Sequence, residues 1–211
     1  MLRYATPFRY TSRETKAMYV AQKYAPLLTA GVLDVGCWES RLRPLLPPTA
    51  RYVGVDMLPG ADVVLNLDRD DLPFADRSFD TVLCTDVLEH LDRCHRVFDE
   101  LCRVASGHVI VALPNPAMNF LMALLEGSGG RLKHYGLPAE APADRHRWFF
   151  GHEDAERFLT ERGAKNGFAP EQIDAESVWS PPRLEVDGRN VFDHPNLRRG
   201  TLWAVLARRD L

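Results

Sequence analysis

The chain predicts an α/β fold built on a doubly wound, mostly parallel sheet, and three observations carry that reading. The apolar run Val32-Leu33-Asp34-Val35 passes into Gly36-Cys37, a buried strand entering a turn where only glycine lets a ligand approach the main chain. Tyr52-Val53-Gly54-Val55 then ends in Asp56, which sets a carboxylate at the end of a second strand, where ribose hydroxyls are held in such sheets. Strand-like runs alternate with helix-like periods as far as Leu113, which puts helices on both faces and the ligand at the carboxyl ends of the strands.

Ahead of the first strand, Thr11-Ser12-Arg13-Glu14 offers a capping box, and Met18, Val20, Ala21, Tyr24 and Leu27 carry an amphipathic helix to about Leu28. A short helix is expected over residues 39–46, distorted at Pro44 and stopped by Pro47-Pro48. Residues 62–67 read as the third strand. The turn-rich Leu72-Pro73-Phe74 and Asp76-Arg77-Ser78 lead to a fourth strand over 79–84. A helix over 93–104 and a fifth strand over 108–113 complete this half.

The alternation breaks after Pro114. Residues 115–150 hold an apolar helical patch, a glycine-rich break at 127–130, and a polar-aromatic stretch ending in Arg145-His146-Arg147-Trp148-Phe149-Phe150. This segment reads as an insertion over the crevice, with Trp148-Phe149-Phe150 as its anchor in the core. A helix from Glu153 to about Arg162, ended by Gly163, precedes a strand over 172–179, a long Pro/Arg/Asp/Asn loop and a last strand over 201–207.

With 211 residues, 45% hydrophobic and 26% charged, the chain suits one soluble domain, residues 1–29 forming its N-terminal helix. A net charge of -3 argues against a dedicated nucleic-acid binder, so DNA is not expected as a partner and RNA is disfavoured. The apolar runs are too short to cross a bilayer, and the first residues lack a signal-peptide pattern, which makes a cytoplasmic location the expectation. Cys37, Cys84, Cys94 and Cys102 form no Cys-x-x-Cys pair and read as buried thiols.

Five motifs stand in order along residues 32–113: Leu33-Asp34-Val35-Gly36-Cys37, Gly54-Val55-Asp56, Asp68-Arg69-Asp70-Asp71-Leu72-Pro73-Phe74, Ser78-Phe79-Asp80 and Asp86-Val87-Leu88-Glu89-His90-Leu91. In this order they resemble the class I S-adenosylmethionine-dependent methyltransferases, notably the small-molecule, type 11-like branch. The resemblance implies a Rossmann-like sheet of seven strands with an antiparallel last strand, S-adenosylmethionine as cofactor and S-adenosylhomocysteine as product. A nicotinamide cofactor is disfavoured because the G-x-G-x-x-G fingerprint is absent.

Under that resemblance Gly36 frees space beside the cofactor, Asp34 reaches its amino group through water, and Asp56 accepts both ribose hydroxyls. Asp68 takes the adenine amino proton, the backbone N–H of Arg69 donates to a ring nitrogen, and Met57 and Leu67 flank the ring. Cys37 and Trp38 belong to the glycine loop. Trp38 and Ser40 stand where the family favours small residues, so Trp38 either packs on the cofactor or narrows its pocket. Thr85 and Asp86 face the methionine end.

The acceptor is expected to be a small or saccharide-like molecule methylated at oxygen, bound by Asn115, His134, Tyr135, Arg145 and His146 of the insertion. His90 and His146 are the candidate catalytic residues, since imidazoles titrate near neutrality. Asp86, Glu89 and His90 would share one helix face and so suit a divalent ion. The reading taken is that they brace the helix and line the pocket, because a metal site needs a further ligand that the sequence does not place. No metal ligand is therefore assigned. Two alternatives stay open: a non-catalytic regulatory domain that binds S-adenosylmethionine, and an RNA-modifying methyltransferase.

Overall fold

A computed structural model describes residues 2–180 and 182–209. In chain order it contains α1 (Arg13–Lys23), β1 (Gly31–Val35), β2 (Arg51–Asp56), β3 (Val63–Val64), β4 (Phe79–Thr85), α2 (Cys94–Val104) and β5 (Ala105–Leu113). Then come α3 (Pro116–Leu125), α4 (His152–Lys165), β6 (Phe168–Ala175), the short pair β7 (Glu185–Val186) and β8 (Arg189–Asn190), α5 (Pro195–Arg198) and β9 (Leu202–Arg208). Seven strands form one sheet in the order β3-β2-β1-β4-β5-β9-β6, and only β9 runs against its neighbours. The last strand is thus antiparallel, as the resemblance implies.

Alternation along the strands divides the core between two faces. Val32, Leu83, Ile110, Trp203 and Val205 pack with Tyr19, Val20 and Tyr24 on the α1 side. Leu33, Val82, Val109, Val111 and Leu206 pack with Val97, Phe98, Leu101 and Leu159 on the side of α2 and α4. Burying each such side chain is worth ~1.5–3 kcal/mol, so both helix layers are held by the same strands. All five residues of β1 are buried, as expected for a central parallel strand covered on both faces.

Several local expectations give way to turn chemistry. Ser12 caps α1, but its capping-box partner is Thr15, whose hydroxyl accepts from the Ser12 N–H at 2.9 Å; the helix ends at Lys23 and a 3-10 turn spans Ala25–Leu27. Residues 39–46 form turns with only a 3-10 turn at Arg43–Leu45, because Trp38 (φ 51°) and Ser40 (φ 52°) sit in the left-handed region and Pro44 lacks an N–H. The third strand shrinks to two residues as Asp62 turns its carboxylate to the Gly54 N–H at 2.7 Å.

Further along the chain, the helix expected to stop at Gly163 continues to Lys165. Gly163 packs inside it near Leu206, and the stop is Gly167, which takes a φ of +78°. β6 therefore starts at Phe168, ahead of the expected 172–179, and Trp179 lies beyond its end. The expected loop before the last strand carries the β7–β8 hairpin, its turn formed by Asp187 (φ 49°) and Gly188 (φ 74°).

Candidate functional site

Strand order reverses at β1, which has β2 on one side and β4 on the other. A cavity of about 540 Å³ opens at the carboxyl ends of these strands, the switch point where open α/β sheets bind ligands.

The turn after β1 forms one wall. Both Gly36 N–H and Cys37 N–H donate to the Val55 carbonyl, at 2.8 and 3.1 Å, which ties the turn to β2. Gly36 has a φ of +79°, and a Cβ there would stand 2.1 Å from Cγ2 of Val87, so the position admits no side chain. Asp56 ends β2 and is already engaged: Oδ2 accepts from the Trp38 N–H at 2.8 Å and Oδ1 from the Leu58 N–H at 3.0 Å. Each oxygen keeps a further lone pair for a ligand hydroxyl. Two guanidinium groups stand over the Trp38 ring, Arg13 at 4.7 Å and Arg41 at 4.8 Å from its centroid, and Trp38 forms part of the cavity wall.

Asp34 lies in the floor, 9% exposed, and Oδ2 accepts from the Tyr52 hydroxyl at 2.7 Å. Burial pushes its carboxyl up from 3.8 to about 6; the Tyr52 hydrogen bond opposes this and the Asp56 charge adds to it. Thr85 ends β4 and Asp86 follows it. Asp86 takes a left-handed φ of 56°, and its carboxylate pairs with Lys16 of α1.

At the other end of the cavity stand Glu89, His90, His134, Asp144 and His146. The expected helix at 86–90 is a 3-10 turn over Leu88–His90, so Asp86, Glu89 and His90 do not share a helix face. The three imidazoles nonetheless meet. His134 and His146 stack at 4.6 Å with rings 6° apart, and His90 stands edge-on to His146 at 4.5 Å. Burial, with His90 and His134 beside it, pulls His146 down to about 4, and burial lowers His134 as well. Glu89 is pushed well above the usual carboxylate range by burial first and by the Asp86 charge second.

The cavity lining includes Asp34, Gly36, Cys37, Trp38, Asp56, Met57, Thr85 and Asp86 from the expected cofactor set, His134 and His146 from the acceptor set, and the catalytic candidate His90. Asp68 and Arg69 lie outside it. Asp68 Oδ1 accepts from the Arg93 N–H at 3.1 Å, at the start of α2, and the wall here is Leu65, Asn66 and Leu67.

Asn115 is buried and works in the fold, capping α3 through the Met118 N–H and donating to the carbonyls of Asn196 and Arg199. The Tyr135 hydroxyl donates to the Trp148 carbonyl at 2.6 Å and lies 3.3 Å from His146 Nδ1, behind the imidazoles. Arg145 is exposed and outside the lining. Of the aromatic anchor, only Phe150 packs on the core; Trp148 and Phe149 are 39% and 58% exposed, and Trp148 is tied by its indole N–H to the Leu91 carbonyl at 2.8 Å.

Sequence reasoning missed Arg13, Lys16, Asn66 and Asp144 of the lining. Arg13 and Lys16 stand three apart on α1, a spacing that puts both on one face. Asp144 adjoins Arg145-His146 in the same polar stretch. Asn66 carried no signal in the motif it precedes.

Comparison with known proteins bears on the domain and the fold. Residues 33–112 match a family described as a methyltransferase domain. No curated protein sequence matches the chain. A S-adenosylmethionine-dependent methyltransferase from Clostridium acetobutylicum superposes with a TM-score of 0.59 at 10% identity, over 95% of this chain and 93% of that one. The methyltransferase in complex with the Trm112 activator of Haloferax volcanii gives 0.53 at 18% identity, over 87% and 83%. Magnesium protoporphyrin IX methyltransferase of Synechocystis, solved with bound S-adenosylhomocysteine, gives 0.50 at 17%, over 94% and 89%. Residues 33–112 thus match a methyltransferase domain, and the seven-stranded sheet has the fold of solved S-adenosylmethionine-dependent methyltransferases. No helix among the described residues is long and apolar enough to cross a membrane.

Proposed function

We propose that the chain, as one catalytic domain, methylates a hydroxyl oxygen of a small or saccharide-like acceptor. The observation that carries this reading is that three imidazoles converge at one end of a cavity whose other end is lined by Gly36 and Asp56. S-adenosylmethionine supplies a methyl group on a sulfonium, a leaving group that needs no covalent enzyme nucleophile. Asp56 holds the ribose, Gly36 and Cys37 give the main chain close approach, and Asp34 with Asp86 faces the methionine end. Leu65, Asn66 and Leu67 form the wall beside the base.

As the carbon–oxygen bond forms and the carbon–sulfur bond breaks, the acceptor hydroxyl must release its proton. His90 and His146 are the residues that prepare it. Held down near 4, His146 is neutral at pH 7 and keeps a nitrogen lone pair free. Residues 115–150 act as the acceptor lid, carrying His134, Asp144 and His146 to the cavity, where alignment and exclusion of water assist an in-line displacement.

The test is release of S-adenosylhomocysteine across a panel of hydroxylated small molecules and saccharides, followed by His146→Ala with the best acceptor. Turnover should fall about a hundredfold or more while S-adenosylhomocysteine affinity stays within about twofold. Cofactor binding with no turnover on any acceptor would favour the regulatory alternative; turnover on RNA alone would favour the other.

A further inference from the structure

We infer that Glu89, His90 and His146 form a binding site for one divalent transition-metal cation at the acceptor end of the cavity. The inference deepens the proposed methyl transfer and rests on that reading for what the cation does, while cation binding itself can be measured without any acceptor. The sequence lacked a further ligand for the Glu89-His90 pair, and the fold supplies it by bringing His146 across from the 115–150 segment. One ligand atom from each of the three residues lies within 4.8 Å of the others.

The Glu89 side chain is 1% exposed, and its buried Oε2 has no hydrogen-bond partner. The His90 Nε2 nearest its other oxygen is 3.9 Å away. A carboxylate removed from water and left unpaired is costly, and a cation is the partner that offsets the cost most fully. An oxygen stands near Nδ1 of each imidazole: Asp144 Oδ1 lies 2.7 Å from His90 Nδ1, and the Tyr135 hydroxyl lies 3.3 Å from His146 Nδ1. Nε2 is thus the nitrogen each ring has left for the inner side, the arrangement of metal-binding histidines with a carboxylate or hydroxyl behind them.

Bonds of about 2.0–2.2 Å to a cation place ligand atoms roughly 3–4 Å apart, so the cluster closes on an ion by a contraction of about 1 Å. Two imidazoles and one carboxylate suit zinc, cobalt, manganese or ferrous iron better than magnesium or calcium, which favour all-oxygen sets. Three protein ligands leave a position open to the cavity. There the cation would hold the acceptor oxygen and ease loss of its proton, so that His90 and His146 would act on the hydroxyl through the cation rather than as free bases.

The probe is Co²⁺, added to chelator-stripped and dialysed protein and followed by its visible absorption and by equilibrium dialysis. Wild type should bind one equivalent, displaceable by Zn²⁺, and both Glu89→Gln and His146→Ala should bind about tenfold more weakly or worse. S-adenosylhomocysteine binding by each variant reports correct folding. If Glu89→Gln fails that check, His146→Ala, whose side chain sits nearer the solvent, decides the matter. Absence of stoichiometric Co²⁺ in wild type, or binding undiminished in a folded His146→Ala protein, overturns the inference. Methyl transfer persisting in stripped protein that binds no Co²⁺ would remove the cation and leave the methyltransferase reading intact.

Discussion

Burial of Asp34 couples the stability of the protein to pH and, under the proposed function, its hold on the cofactor as well. The carboxyl rises from 3.8 to about 6, and at ~1.4 kcal/mol per pH unit the ionised form costs the folded state ~3 kcal/mol. The folded group has the higher affinity for its proton, so the stability it confers is complete below about 4 and is lost as pH rises to about 6, with no further change above. Asp34→Asn keeps an acceptor for the Tyr52 hydroxyl and removes the titration. Urea unfolding from pH 4 to 8 should show the wild type losing up to ~3 kcal/mol more than the variant over that interval. Cofactor binding should run the other way. An ammonium group brought near Asp34 favours the carboxylate, so S-adenosylhomocysteine affinity of the wild type should rise between pH 4 and 6, by up to about a hundredfold, and that of Asp34→Asn should stay flat. Parallel pH profiles for the two proteins, in both unfolding and calorimetric titration, would refute the reasoning.

Asp56→Ala should weaken S-adenosylhomocysteine by ~2–4 kcal/mol, roughly 30- to 1000-fold in calorimetric titration, because the two charge-assisted ribose bonds of the proposed function would be lost along with the carboxylate that holds the Trp38 and Leu58 N–H groups. Gly36→Ala puts a methyl 2.1 Å from Val87 Cγ2 at a φ of +79°; it should lower unfolding stability by ~1–3 kcal/mol and abolish detectable cofactor binding. Lys23→Met removes an ammonium that is 4% exposed and bonded to Asp174 at 2.7 and 2.9 Å. It should cost ~3–5 kcal/mol in urea unfolding, through the carboxylate left behind, with little change in S-adenosylhomocysteine affinity of the folded fraction.

The parts of the fold that were legible in the sequence are those written in contiguous residues. β1, β4 and α2 each carry their own period, and the strand that ends in Asp56 announces itself by its apolar run. Elements fixed by a single backbone torsion were misread. Trp38 and Ser40 give no sign that they will adopt left-handed conformations, so residues 39–46 look helical, and Gly163 looks like a stop because the true one, Gly167, lies one turn further on. Asp62 shortened a strand by turning its side chain to Gly54, a contact that no local pattern encodes.

The candidate site divides along the same line. The half proposed for the cofactor lies at the carboxyl ends of β1, β2 and β4, so order along the chain was enough to place Gly36, Asp56 and Thr85 on the cavity lining. Asp68 shows the limit of that logic: the motif is present, yet the carboxylate caps the first N–H before α2, and the cavity wall falls to the preceding Asn66. The acceptor half is assembled from a distant segment with no regular structure between α3 and α4. What places His146 is main-chain bonding, its own N–H to the His134 carbonyl at 3.1 Å and the next N–H, of Arg147, to the Glu89 carbonyl at 2.7 Å. These two bonds join the 115–150 segment to itself and to the turn after β4, and they bring together imidazoles that have no common period or spacing. The side chains named for this half were therefore recognised by type alone, and type could not distinguish His134 and His146, which reach the cavity, from Arg145, which the same stretch leaves in solvent.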